Sequence, residues 1–333
     1  MGIWTDSVER KAAIIHSQFA EALKLAAANS APAESVAAPY LKLLRTLYAD
    51  EFPFARLTDT SDLVARFRGP AVDIHDPTVS IVISVFTDIR EQIRGIAKSI
   101  AGLTSETRML WPAQLDPHLS GIAHGSLLVG ISVAPPENAA LPGEQIQIAG
   151  VSEQVFLSIR SAVRSLSQIA KYVSNTGIDE SIRDAFPDPA VRDTVLVAAR
   201  RLAPTGKRGI DSVSFYTSDA VEGTVSQLTP STRRALSSAL ATPIRTRGEG
   251  SFEGLIREID LDARRFEIRG VNQIGAIRCV YGAHHDDLVR GALDARVRVA
   301  GKFEALESSA PRLVYVNTLA VLAPPPIQLS IPH

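Results

Sequence analysis

Cysteine is nearly missing from this chain. Cys279 is the only one in 333 residues, which excludes an intrachain disulfide and any cysteine-based metal cluster. Lysine is scarce as well: Lys11, Lys24, Lys42, Lys98, Lys171, Lys207 and Lys302 are all there are, and arginine supplies the rest of the 35 cationic residues. Arginine is the better fork for phosphate and carboxylate, although a GC-rich genome produces the same bias. No charge of one sign prevails. With 36 acidic residues against those 35, the net charge is −1, so no global field draws the protein toward nucleic acid or an anionic membrane. A nucleic-acid site would have to be a local patch. Long apolar runs are absent too: the longest, Val79–Phe86, is interrupted by Ser80 and Ser84 and is far too short to cross a bilayer. Met1–Asp6 leads into a charged helix without signal-peptide architecture, and Asp6 stands where a myristoylation signal has Ser or Thr. These absences predict a cytoplasmic protein with no membrane partner.

What is present is ordinary globular material, 45% hydrophobic and 21% charged, in a chain long enough for two or three domains. No repeat of fixed period is visible. The patterning predicts an α+β multidomain protein: an α+β N-terminal domain over 1–150, a mainly helical middle segment over 151–247, a β-barrel over 248–323 and a Pro-rich tail over 324–333. In the first part, Asp6 with Glu9 reads as a capping box ahead of the stripe Val8, Ala12, Ile15, Phe19, Leu23 and Ala26. A second helix follows the Ser30–Pro32 break, with Pro39 near its first turn. Asp62–Arg68 reads as a strand. Asp76-Pro77 reads as a helix start, and the helix is expected to run from there to Ala101, because its stripe continues unbroken past the β-branched section Val79–Val85. Leu115–Val133 holds strands about a His124-Gly125-Ser126 turn, and Gln145–Ile148 is expected to return as a short strand. In the middle segment, helices are expected from Phe156 to Val173, from Asp188-Pro189 onward and over Ser231–Leu240. Ile210–Tyr216 alternates as a strand, and Thr242–Gly250 is taken as a linker.

The stretch Ser251–Leu322 is the most legible. Phe252–Asp260, Arg265–Arg269, Ala276–Tyr281, Ala295–Phe303 and Arg312–Leu322 alternate with period two, while His284–Leu293 switches to helical spacing. The order β-β-β-α-β-β, with its helix between the third and fourth strands, resembles the OB-fold, a five-stranded Greek-key barrel that often binds oligonucleotides. Barrels so placed at the end of a longer chain look like those of many uncharacterised prokaryotic proteins, some from defence or toxin–antitoxin settings. That resemblance carries no site residues with it.

Catalytic signatures are wanting. Gly206-Lys207 lacks the rest of a phosphate loop, with Arg208 where Ser or Thr should follow. Gly248, Gly250 and Gly254 lead into a strand rather than from one into a helix, so they are no dinucleotide fingerprint. No cofactor is expected. His284-His285-Asp286-Asp287 places neighbours about 100° apart on a helix, which suits helix-end electrostatics better than a shared metal ion. His16, His75, His118, His124 and His333 are scattered, and Gly125-Ser126 lacks a nucleophile elbow. A catalytic centre is not expected, unless one assembles from distant positions.

Basic residues offer more. Arg265, Arg269, Arg278, Arg296 and Arg298 share the predicted outward register of barrel strands two to four, the region where OB-like barrels usually take ligands. Against a nucleic-acid footprint, Gly250–Ala323 is balanced with ten acidic and ten basic residues. Glu267 can pair with the arginines across strands, and of the aromatics Tyr315 is the main outward candidate for base stacking. A second basic group, Arg200, Arg201, Lys207 and Arg208, closes one helix and its loop. The expectation is a non-catalytic binding protein whose barrel contacts a partner protein or single-stranded nucleic acid through Arg265, Arg269, Arg278, Arg296, Arg298 and Tyr315. The alternative is a homo-oligomeric structural or regulatory subunit that pairs through a barrel edge.

Overall fold

The computed structural model describes residues 2–73, 77–102, 116–123, 126–133, 146–219, 227–306 and 310–324, with the backbone alone at 123 and 146–154. It is a mixed α+β protein with two sheets, and it divides into two compact units. The first takes Met1–Ile93, Pro112–Lys171 and Leu202–Pro230. The second takes Arg94–Trp111, Tyr172–Arg201 and Ser231–His333. Residues 151–247 thus contribute to both. No helix of the described residues is long and apolar enough to cross a membrane.

In the first unit, helix α1 (Ile3–Ala28) begins before the expected capping box. Its free N–H groups are met from a distance. Asp59 accepts from Trp4 N at 3.1 Å and Thr5 N at 2.8 Å, and from the Thr5 hydroxyl at 2.6 Å. A remote carboxylate satisfies those donors as well as a local cap would. Pro39 lies inside helix α2 (Ala33–Thr46) rather than in its first turn, because the helix starts directly after Pro32. A π-helical turn, Leu47–Glu51, leads into α3 (Phe52–Thr60).

The sheet that follows is antiparallel throughout. It contains β1 (Leu63–Arg68), β2 (His118–Ala123), β3 (Leu127–Ser132), β4 (Ser212–Tyr216) and the two-residue β5 (Gln227–Leu228), in the order β2-β3-β1-β4-β5. Leu63, Val64 and Ala65 of β1 are all fully buried, so both faces are covered at this central strand. Leu57 of α3 packs on Val64 and Leu128. That approach needs Gly130, where an added Cβ would come within 2.5 Å of Leu57 Cδ1. Helix α4 (Val79–Ala101) forms as its stripe predicts, with Ile89, Ile93 and Ile96 buried. Helix α5 (Ile146–Ile169) corrects the sequence reading: Ile146–Ile148 is its first turn, not a strand. Two apolar residues in alternation are too few to fix a period, and the longer stripe downstream decides. The proposed turn at His124-Gly125 lies outside the described residues.

In the second unit, the short α6 (Ile182–Ala185) precedes α7 (Pro189–Leu202), whose start is capped as expected: Asp188 Oδ1 accepts from Ala190 N at 2.8 Å. Helix α8 (Pro230–Ala239) follows. Five strands then close into a ring: β6 (Gly248–Asp260), β7 (Arg265–Val271), β8 (Gly275–Val280), β9 (Arg296–Ala305) and β10 (Pro311–Ala323). Neighbours are antiparallel except β8 and β10, whose parallel pairing completes the circle. Each strand has a partner on both sides along part of its length, while β6 before Leu255 and β10 beyond Tyr315 pair with β9 alone. Strand β6 starts at Gly248, so the last three residues of the expected linker already pair with β9. Ile256, Phe266, Ile268, Cys279, Val297, Val299 and Val314 fill the interior, while Phe303 packs on it from a partly buried position. Between β8 and β9 a 3₁₀ turn (Ala283–His285) and α9 (Asp286–Arg290) bring Val289 and Ala292 into the same core. Strands β9 and β10 touch so closely at Gly301 that an added Cβ would lie 1.9 Å from Tyr315 O.

Candidate functional site

Alternation along β7 and β8 turns Arg265, Arg269 and Arg278 away from the barrel interior, but outward from the barrel is not outward to water. Helix α7 supplies Asp193, a side chain only 2% exposed, to this face. Arg265 Nε donates to both Asp193 oxygens at 3.1 Å, its Nη2 donates to Oδ1 at 2.8 Å, and Arg278 Nε donates to Oδ2 at 2.6 Å. The rest of the Arg265 fork reaches Ala263 O and Leu240 O, each at 2.8 Å. Burial alone would raise the Asp193 carboxyl. The charges of Arg265 and Arg278 and their hydrogen bonds overcome that and bring it down to about 2. The same contest raises Arg265: burial works against its charge, and Asp193 prevails.

The preceding residue of α7 makes a second buried pair. Arg192 donates Nη2 to Glu304 of β9 and Nη1 to Phe186 O at 2.9 Å, and Glu304 Oε1 also accepts from Ile244 N at 2.9 Å. Between these pairs lies a cavity of about 10 Å³, bordered by Arg192, Asp193, Glu304, Leu313 and Tyr315. That is room for roughly one water, not for a substrate. Tyr315 packs with Val280 and Leu313 under this cover; burial, with Asp193 and Glu304 nearby, pushes its hydroxyl above the usual range. Further along α7, Arg201 grips Asp260 at 2.8 Å, and Arg312 of β10 reaches Asp188 at 3.3 Å.

The five arginines are therefore divided. Arg265 and Arg278 belong to the contact with α7. Arg269 is buried beside Glu267, its Nε donating at 2.6 Å. Only Arg296 and Arg298, with side chains 60% and 54% exposed, face solvent. They converge on Glu253, across the β6–β9 ladder: Arg298 Nη2 lies 2.6 Å from Oε1, and Arg296 Nη2 3.7 Å from Oε2. Such exposed pairs contribute at most about 1 kcal/mol. Tyr315 is covered rather than presented for stacking. The single exposed arginine face expected from the register is thus corrected, and the reason is remote in sequence: Asp193 lies 72 positions before Arg265.

The residues that sequence reasoning missed are Asp193, Arg192 and Glu304. A signal existed for the first two. Around them, Ala190–Ala199 is apolar on almost every side, so charges embedded there have to find buried partners. Glu304 carries no such mark. Elsewhere, Asp286 holds Arg264 at 3.1 Å, and the His284 and His285 rings stand 4.0 Å apart, with His285 Nε2 3.4 Å from Asn317 O. Among the described residues no group of three His, Cys, Asp or Glu side chains could hold a metal ion. Cys279 is fully buried in the barrel core, and burial pushes its thiol well up. No protein-family model matches the chain, and no curated protein matches it.

Proposed function

We propose that this is a non-catalytic binding protein that acts through an OB-like C-terminal barrel, and that its working surface is the β6–β9 face bearing Arg296, Arg298 and Glu253. The partner is protein, with a second copy of this chain as the first occupant to test. One observation carries the reading: the usual ligand side of such a barrel, β7 and β8, is covered by the chain's own helix α7. What stays open mixes both signs of charge with half-exposed Leu255, and Val321 and Leu322 lie open at the end of β10. A mixed polar and apolar surface with arginine anchors suits a protein partner. A nucleic-acid track would favour unpaired cations and stacking rings.

Light scattering beside an oligonucleotide titration tests this. The native protein is expected to exceed the mass of its 35.8 kDa chain, and R296A/R298A is expected to shift toward monomer. Labelled single-stranded oligonucleotide should bind neither at three salt concentrations. Oligonucleotide binding whose log K against log salt flattens by about 1.4 in the double variant would instead make this a nucleic-acid surface. Monomers throughout, with a flat salt response, would sink self-association and the nucleic-acid reading together.

A further inference from the structure

Strand β1 carries two arginines on one face, and among the described residues neither enters an ion pair. Val64, Arg66 and Arg68 alternate to the same side of the strand. Leu57 of α3 packs on Val64. Further along, the face turns polar: Ser214 and Ser212 of β4 stand opposite Arg66 and Arg68, and both serines are buried. Arg66 is partly buried and held by neutral groups. Its Nε donates to Ser126 Oγ at 3.0 Å, its guanidinium lies 5.5 Å from the centre of the Phe54 ring, and Tyr216 favours its charge. Arg68 is exposed, and no nitrogen of Arg66 is sealed from solvent without a partner, so the pair can be reached from outside. The barrel treats its arginines differently: Arg265, Arg269, Arg278, Arg296 and Arg298 each reach a carboxylate. Here the carboxylate that weighs most on Arg66 is Asp73, whose Oδ2 already accepts from Gly69 N at 2.9 Å. Asp211 meets β1 through its backbone, with N donating to Arg68 O at 2.7 Å. Burial pushes the Arg66 guanidinium down from its ordinary range, and the like charge of Arg68 pushes the same way. Neutral partners thus fix the Arg66 fork without offsetting its charge, and a partly buried cation without a counter-charge is costly.

We infer that Arg66 and Arg68 form a binding site for a doubly charged phosphate group, free or as a monoester. Two residues apart on one strand face, they start about 7 Å from each other, so two long side chains can converge on one group. A phosphate has oxygens for both forks and two charges to meet theirs, whereas a carboxylate has two oxygens and one charge. Ser126 and Phe54 hold the Arg66 fork ready for it. The site belongs to the first unit, whereas β6 and β9 belong to the second.

Calorimetric titration of the full chain with phenyl phosphate, and separately with inorganic phosphate, tests the site at about pH 8, where both are doubly charged. Chloride at matched ionic strength is the control. Saturable binding of one phosphate group per chain is expected. Diethyl phosphate, a diester with a single charge, should bind at least about tenfold more weakly. R68A removes an exposed charge that matters little to folding, and should weaken phosphate binding at least about tenfold. R66K keeps the charge but not the fork and should do the same. R296A/R298A should leave binding unchanged. Binding of phenyl phosphate alone supports an esterified ligand, and binding of inorganic phosphate as well supports recognition of the phosphate group by itself. Absence of saturable binding to the native protein overturns the inference. So does undiminished binding in R68A or equal binding of diethyl phosphate, whether or not R66K folds.

Discussion

Asp193 occupies a position where burial and charge contend, and the outcome can be weighed. A carboxylate this deep would ordinarily take up a proton, yet two arginines hold it at about 2 against an ordinary 3.8. A folded-state value below the unfolded one means that the carboxylate contributes stability above about pH 4. That contribution is lost as pH falls from there through 2, and the shift corresponds to about 2 kcal/mol. Asp193→Ala removes the negative charge altogether and leaves Arg265 and Arg278 facing each other, so a loss of about 3–5 kcal/mol is expected at pH 7. Urea unfolding of both proteins at pH 7 and pH 3 checks the sign. The gap between them should narrow at the lower pH, and a gap independent of pH would show that Asp193 acts by packing rather than by charge. Cys279 gives a simpler expectation at the same scale. Its thiol is buried and held protonated, so the native protein should react with a thiol reagent only as it unfolds, and fast labelling would place the thiol elsewhere.

At the scale of the element, β9 is the strand on which the barrel turns. Val297 and Val299 are fully buried inside, Arg296 and Arg298 face solvent, and Glu304 holds Arg192 of α7. Val299→Asp places an unpaired carboxylate in the interior, which costs several kcal/mol, and circular dichroism should show the barrel unfolded at room temperature. Native-like ellipticity would mean that the interior has water or room that its packing does not suggest. The strands of this barrel were legible in the sequence to within about two residues at their ends, apart from the first four residues of β6, because period-two alternation is a local property of every strand. Helix α4 was legible for the same reason, its stripe being long. What was not legible was whatever depended on a remote partner. The Asp59 cap of α1, the burial of Tyr315 and the fate of Arg265 and Arg278 are all settled by residues tens of positions away. Alternation tells which side of a strand a residue takes, and says nothing about what lies on that side. The proposed site was therefore legible only in part. Arg296 and Arg298 were found, but their separation from Arg265 and Arg278 depends on α7.

At the scale of the molecule, the barrel is a local object set in a unit that is not local. Its five strands and their ladder hydrogen bonds lie within 248–323, and so does the whole of its interior. The second unit also draws on Tyr172–Arg201, which includes most of α7, and on Ser231–Pro243. A fragment of residues 248–333 would therefore keep every inward contact and lose the outward cover. Arg265 and Arg278 would turn to water at little cost, since solvation replaces Asp193. Val280, Leu313 and Tyr315 would be uncovered as a connected apolar patch. The fragment is accordingly expected to fold, with strand-dominated circular dichroism and a cooperative melt. It should melt below the barrel of the full chain and bind a hydrophobic dye that the full chain does not. Appending α7 in isolation should not restore the difference, because Arg265 also needs Leu240 O and Glu304 needs Ile244 N. A helix-dominated spectrum would show that the ring cannot form alone. A melting temperature equal to that of the full chain would show that α7 covers the barrel without stabilising it, and would confine its role to occupying the β7–β8 face.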